Sequence, residues 1–131
     1  MRMALQDGGL TPDEIDYINA HGTATREGDP IEIAAIRGVF GPRSEAVAVS
    51  ATKSMHGHML GATGVIEAII TVMSLASQEA PPTAYLDEVD RDCTGVRHIT
   101  GGPLRGSLRA ALSNSFAFGG SNTVLAFRAA H

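Results

Sequence analysis

Two histidine-bearing loops, 37 residues apart, are the places in this 131-residue chain best equipped for chemistry. The first reads Asn19-Ala20-His21-Gly22-Thr23-Ala24-Thr25. The second reads Lys53-Ser54-Met55-His56-Gly57-His58-Met59-Leu60-Gly61. Each follows a short apolar run and precedes a helix-like stretch. Two imidazoles delivered from neighbouring strand ends can aim two N–H donors at one oxygen, which stabilises an enolate or oxyanion as charge develops. His21, His56 and His58 can also be read as three ligands of a zinc ion. The glycine-rich surroundings fit that reading less well. A lone histidine after a strand is otherwise an ordinary packing or surface residue.

The elements that must carry these loops are legible from patterning. Residues 2–7 read as the end of a helix stopped by Gly8-Gly9. Thr11-Pro12-Asp13-Glu14 has the order of a capped helical turn. Residues 16–20 form a strand that ends at His21. Asp29-Pro30-Ile31-Glu32 opens a helix in which Ile33, Ile36 and Phe40 recur at helical spacing before Gly41-Pro42. Residues 46–51 form an apolar strand leading to Lys53 and His58. Residues 64–78 form a helix with apolar residues on every side, which predicts burial all round. Glu67 stands alone inside it, and a buried carboxylate needs a partner. Pro81-Pro82 opens a long connector through Tyr85, Leu86 and Cys93. Strands at 95–100, 109–116 and 123–128 follow.

Composition sets limits. The chain is one domain at most, residues 1–131, with 44% hydrophobic and 18% charged residues. A net charge of −4, no basic run and 5% aromatic residues argue against a nucleic-acid partner. Cys93 is the single cysteine, so neither an intrachain disulfide nor a Cys-based zinc site is expected. No apolar run is expected to reach membrane-span length and no signal peptide is read, so the cytoplasm is the expected location.

The motif around His21, the Lys-Ser-x-x-Gly-His string ending at His58, and Asn114-Ser115-Phe116-Ala117-Phe118-Gly119-Gly120 closely resemble the β-ketoacyl synthases. The resemblance implies an α/β chain: the C-terminal half of a thiolase-like α-β-α-β-α layered fold, a mixed sheet covered by helices with one helix fully buried. It also implies decarboxylative condensation of malonyl-carrier protein with an acyl thioester in fatty-acid or polyketide synthesis. In that register His21 and His58 are the catalytic imidazoles, and His56 falls on a variable, packing or solvated position. Lys53 becomes a buried cation near both histidines, with Glu67 its natural partner. A nearby cation would keep the rings neutral. Thr23 and Thr25 resemble positions that bind the phosphopantetheine arm; their plainer reading is turn chemistry. Phe116, Phe118 and Gly119 belong to a loop bordering the acyl pocket, with Phe118 its gate. Ala117 departs from the glycine usual there.

The family's nucleophilic cysteine is not recognised. Cys93 lies among Asp90 and Asp92, which would raise rather than lower a thiol pKa. The resemblance therefore implies a C-terminal portion acting with an N-terminal synthase half or as a homo-oligomer. Its partners would be acyl carrier protein and its malonyl and acyl thioesters. No cofactor is implied beyond the carrier's phosphopantetheine, and the chain alone is not expected to condense substrates. The alternatives are a non-catalytic partner resembling a chain-length factor, another thiolase-fold enzyme, or a carrier-binding module without chemistry of its own.

Overall fold

The computed structural model describes residues 1–130. Its frame is a five-stranded sheet. β1 (Ile15–Asn19) lies at the centre, with every residue but Asp16 buried. β2 (Ala48–Ser50) and then β4 (Arg97–His98) run parallel to it on one side. β6 (Ala110–Phe116) runs parallel to it on the other, and β7 (Asn122–Arg128) pairs antiparallel with β6 at the edge. A separate antiparallel ribbon joins β3 (Glu79–Ala80) to β5 (Leu104–Arg105).

Residues alternate across the sheet and build two cores. Ile18, Val49 and Leu112 face α1 (Arg2–Asp7) and α2 (Gly28–Phe40), meeting Leu5, Ile33, Ile36 and Phe40. Tyr17, Ala48 and Ala111 face the other way, against Leu75 of α4 (Thr63–Ser77). α2 is thus the crossover between parallel neighbours β1 and β2. It ends where Gly41 takes φ 55, a conformation suited to glycine, and Pro42 follows.

α4 departs from the sequence expectation. It is not buried all round. The face on the sheet carries Thr63, Glu67, Thr71, Ser74 and Leu75, while Val65, Ile69, Val72 and Met73 remain 47–64% exposed. Most of these polar groups find a partner, Glu67 Oε2 being left without one among the described residues. Thr71 and Ser74 donate to the carbonyls one turn back, and Glu67 meets Lys53. The stretch Leu60–Ser77 is also long and apolar enough by composition to cross a membrane, contrary to the expectation of no such run. Its polar face is packed on β6, around the buried Lys53–Glu67 pair, so here it serves as a sheet-covering helix.

Smaller differences have local causes. The strands expected at 46–51 and 95–100 pair only over Ala48–Ser50 and Arg97–His98. A four-residue helix, α3 (Lys53–His56), follows β2. α2 begins at Gly28, not after a cap at Asp29. Thr25 Oγ1 accepts the Gly28 N–H at 3.1 Å. The capped turn at Thr11 is formed as expected, with Glu14 accepting the Thr11 N–H at 2.8 Å.

Candidate active site

The parallel strands β1, β2 and β6 all end on one side of the sheet. Strand order reverses at β1, since β2 lies to one side and β6 to the other. Crevices of α/β sheets open at such a reversal, beyond the carboxyl ends of the strands. His21 follows β1 by two residues, Lys53 follows β2 by three, and Phe116 closes β6.

His21 and His58 meet there. Their rings are perpendicular, at 88°, with centroids 5.7 Å apart. Phe116 packs on the other side of His21, again at 5.7 Å. Among the described residues, nothing hydrogen-bonds the buried His21 Nδ1, so these ring contacts orient His21. His58 is held differently. Its Nδ1 accepts the Leu60 N–H at 3.3 Å and lies 3.1 Å from Thr63 Oγ1. That leaves Nε2 to carry the proton of the neutral ring and to donate it.

The surroundings hold His21 neutral. Burial foremost, then the Lys53 charge and the neighbouring His58, push its pKa down to about 4. Lys53 is itself buried, with Nζ 2.6 Å from Glu67 Oε1. Burial raises the Glu67 pKa; the hydrogen bond and charge of Lys53 pull the other way. The sequence expectation that these two residues pair therefore holds in the geometry.

By NMR, His21 of the folded chain is expected to titrate near pH 4, against about 6.5 for a free imidazole. The unfolded chain would then bind this proton first. Stability contributed by neutral His21 is present above pH ~6.5 and is lost as the pH falls toward 4. A midpoint near 6.5 would show that neither burial nor Lys53 is felt at this ring.

Glu32 is the residue that sequence reasoning missed. It reads as an ordinary acidic residue in the first turn of α2. The structure buries it and turns it toward the His21 loop. Its two oxygens accept the backbone N–H groups of His21 and Gly22, both at 2.9 Å, and Asn114 Nδ2 at 2.9 Å. Burial raises its pKa, against the pull of the three donors. One carboxylate thus joins β1, α2 and β6 beneath His21. The available signal was its place four residues before Ile36 and eight before Phe40, on the helix's buried face. Gly22 completes the loop at φ 40. A Cβ there would lie 2.4 Å from that of Ala51, so only glycine lets the two strand ends approach.

The other expected residues divide. Thr23 stands at the rim of a cavity of about 440 Å³ that also reaches Lys53 and His58. Thr25 spends its hydroxyl on capping α2, and the two threonine oxygens lie 3.4 Å apart. Phe118 is fully exposed and apart from the histidines; Gly119 beside it takes φ 79. Of these two aromatics, the one that reaches the histidines is therefore Phe116. His56 Nε2 turns to Thr52 and Nδ1 to Gly57 O. Cys93 is half-buried, and its thiol pKa is raised by burial, then by Asp29, Asp90 and Asp92.

A model of the family described as "Beta-ketoacyl synthase, C-terminal domain" matches residues 1–87. The chain belongs to this family. It is 43% identical over 125 residues to "3-oxoacyl-[acyl-carrier-protein] synthase 2" of Coxiella burnetii (strain RSA 493 / Nine Mile phase I), covering 95% of this chain and 30% of that protein. A β-ketoacyl synthase structure from Burkholderia phymatum STM815 superposes with TM-score 0.94 at 40% identity, covering all of this chain and 31% of that one. A type II PKS acyl-carrier protein in complex with its ketosynthase bound to the hexaketide gives TM-score 0.94 at 32% identity, over 99% of this chain and 32% of that one. The chain thus spans about a third of the length of the relatives it matches. As a β-ketoacyl synthase domain, it carries its two-histidine loops on a thiolase-like α/β frame.

Proposed function

We propose that this domain supplies the decarboxylation half of a β-ketoacyl-[acyl-carrier-protein] synthase. The observation that carries the reading is the perpendicular His21–His58 pair beside the buried Lys53–Glu67 pair. Malonyl carried on the phosphopantetheine of acyl carrier protein would place its thioester oxygen between the two rings. An oxygen accepting from both rings would sit about 2.9 Å from each donor. As the carboxylate leaves as CO2, charge develops on this oxygen, and two N–H donors in a partly water-excluded site stabilise it. The resulting carbanion attacks the acyl thioester held on a cysteine, expels the thiolate and leaves the β-ketoacyl product on the carrier. The carrier-bound ketosynthase among the relatives supports acyl carrier protein as the partner.

In this reading burial, aided by Lys53 fixed by Glu67, keeps His21 neutral and so a donor of its single proton. Thr23 offers its hydroxyl to the pantetheine amides, and Phe116 borders the acyl group. The histidine pair uses no metal or organic cofactor of its own, and the reaction is placed in the cytoplasm. The acyl-transfer nucleophile would come from the N-terminal half of the synthase, because burial first and acidic neighbours second raise the Cys93 thiol pKa. A non-catalytic chain-length partner has no use for a neutral histidine beside a buried lysine.

Two assays test the assignment. The purified chain alone is expected to form no elongated acyl product. In a complete synthase, Cys93→Ala is expected to leave turnover nearly unchanged. Elongation by the isolated chain, or a large loss on replacing Cys93, would sink the division of labour proposed here.

A further inference from the structure

Sequence reasoning sets His56 aside as packing or solvated, yet the structure gives both of its ring nitrogens partners. His56 closes α3 and is half-buried. Its Nδ1 lies 2.7 Å from Gly57 O, the peptide that leads directly into His58. Its Nε2 lies 3.2 Å from Thr52 Oγ1. Thr52 is fully buried and donates to Asn19 Oδ1 at 3.2 Å. Asn19 is the last residue of β1, two before His21, and is also fully buried. Its Nδ2 reaches the Glu67 carbonyl at 3.3 Å and Thr71 Oγ1 at 3.5 Å, both on α4.

Read in order, these bonds form one continuous strut. It runs from the peptide before His58, through His56 and Thr52, to the strand end that presents His21, and on to the helix that anchors Lys53. Asn19 spends its amide hydrogens on α4, so its oxygen faces Thr52. The Thr52 hydroxyl lies 3.2 Å from both that oxygen and His56 Nε2 and links the two. Gly57 O can only accept. Nδ1 of His56 therefore donates to Gly57 O, and Nε2 lies within hydrogen-bonding reach of the Thr52 hydroxyl. Gly57 sits at φ 77, and a Cβ there would meet nothing within 4 Å among the described residues; the bond from His56 holds its carbonyl.

We propose that His56 is a positioning residue for decarboxylation, setting the His58 loop relative to the strand end that carries His21. This rests on the function proposed above, and deepens it. A strut of this kind acts on the spacing of two donors, to which catalysis is sensitive at the level of an ångström.

The test uses the complete synthase. His56→Ala should lower kcat for malonyl-carrier decarboxylation about 5- to 30-fold, the range for losing one or two hydrogen bonds. KM and the rate of acyl transfer onto the nucleophile should stay unchanged. His56→Gln, which can still reach Thr52, should recover most of kcat. Adding Thr52→Val to His56→Ala should cost nothing more, because the strut is already broken. Should His56→Ala not fold, His56→Asn, which can reach Gly57 O but not Thr52, carries the same comparison against Gln. A wild-type kcat in the Ala variant, an equal loss in acyl transfer, or a separate additive loss from Thr52→Val would overturn the proposal. If His21→Ala and His58→Ala are also silent, the decarboxylation reading itself fails. If those two are crippling and His56→Ala is not, only the strut is wrong.

Discussion

Replacing His21 or His58 by alanine in a complete synthase is expected to slow malonyl decarboxylation by about 10²–10³-fold, the usual effect of losing one oxyanion donor. In the function proposed above the two rings, with centroids 5.7 Å apart, share one oxygen. Removing both should therefore cost less than the product of the single losses. Transfer of the acyl group onto the cysteine should suffer less, because that step develops its charge at a different carbonyl. The measurement is CO2 release from malonyl-carrier protein, set beside single-turnover acylation of the enzyme. If either single variant keeps decarboxylation within threefold of wild type while acylation collapses, the imidazoles serve the other half of the cycle.

The second large effect concerns the outward face of α4. Val65, Ile69, Val72 and Met73 are 64%, 50%, 47% and 63% exposed. With Leu125 of β7 they line one apolar groove. Fully burying such a side chain is worth about 1.5–3 kcal/mol, and roughly half of each remains to be buried, so covering four contributes on the order of 3–6 kcal/mol. That is comparable with the whole stability of a small domain. Expressed alone, the chain is expected to self-associate and to bind a hydrophobic dye. Ile69→Lys with Val72→Glu should make it more soluble at little cost to its own fold, since both sites are solvent-facing here. In a complete synthase, where we propose that the N-terminal half covers this face, the same pair should be destabilising. Light scattering and thermal melts on both forms check this. A clean monomer of the unaltered chain with no dye binding would overturn it.

α4 also shows where sequence reading stops. Its existence and length were plain from 15 residues of unbroken helical composition. Its orientation was not. Threonine, serine and glutamate would ordinarily mark the solvent side. Here they mark the sheet side, because Asn19, Lys53 and the helix's own carbonyls satisfy them. Those partners come from other elements, and no period within the helix reports them. Glu32 escaped for a related reason. An acidic residue in a first turn already has an adequate local explanation, and its three donors are spread over β6 and the loop after β1. The ribbon of β3 and β5 has two residues per strand, too few for any alternation to register. By contrast the central strands, the crossover helix, both histidine loops and the Lys53–Glu67 pair could be read in advance. Each is set by a contiguous apolar run, a turn residue or an unpaired charge.

The central position of β1 has a consequence for how the chain is made. Emerging from the ribosome, the chain completes β1 at Asn19, and β2 can pair with one side of it by Ser50. The other side waits for β6, with Ile18 matched to Leu112, 94 residues later. Until β6 is made, then, the central strand of the sheet presents a bare hydrogen-bonding edge. A partner that distant closes slowly, and a half-finished sheet of this kind recruits strands from other chains. The nascent chain thus depends on being shielded until residue 116 is clear of the exit tunnel. Substitutions that slow β6, such as proline within Ala110–Phe116, should lower soluble yield even in those molecules whose finished fold could accommodate them.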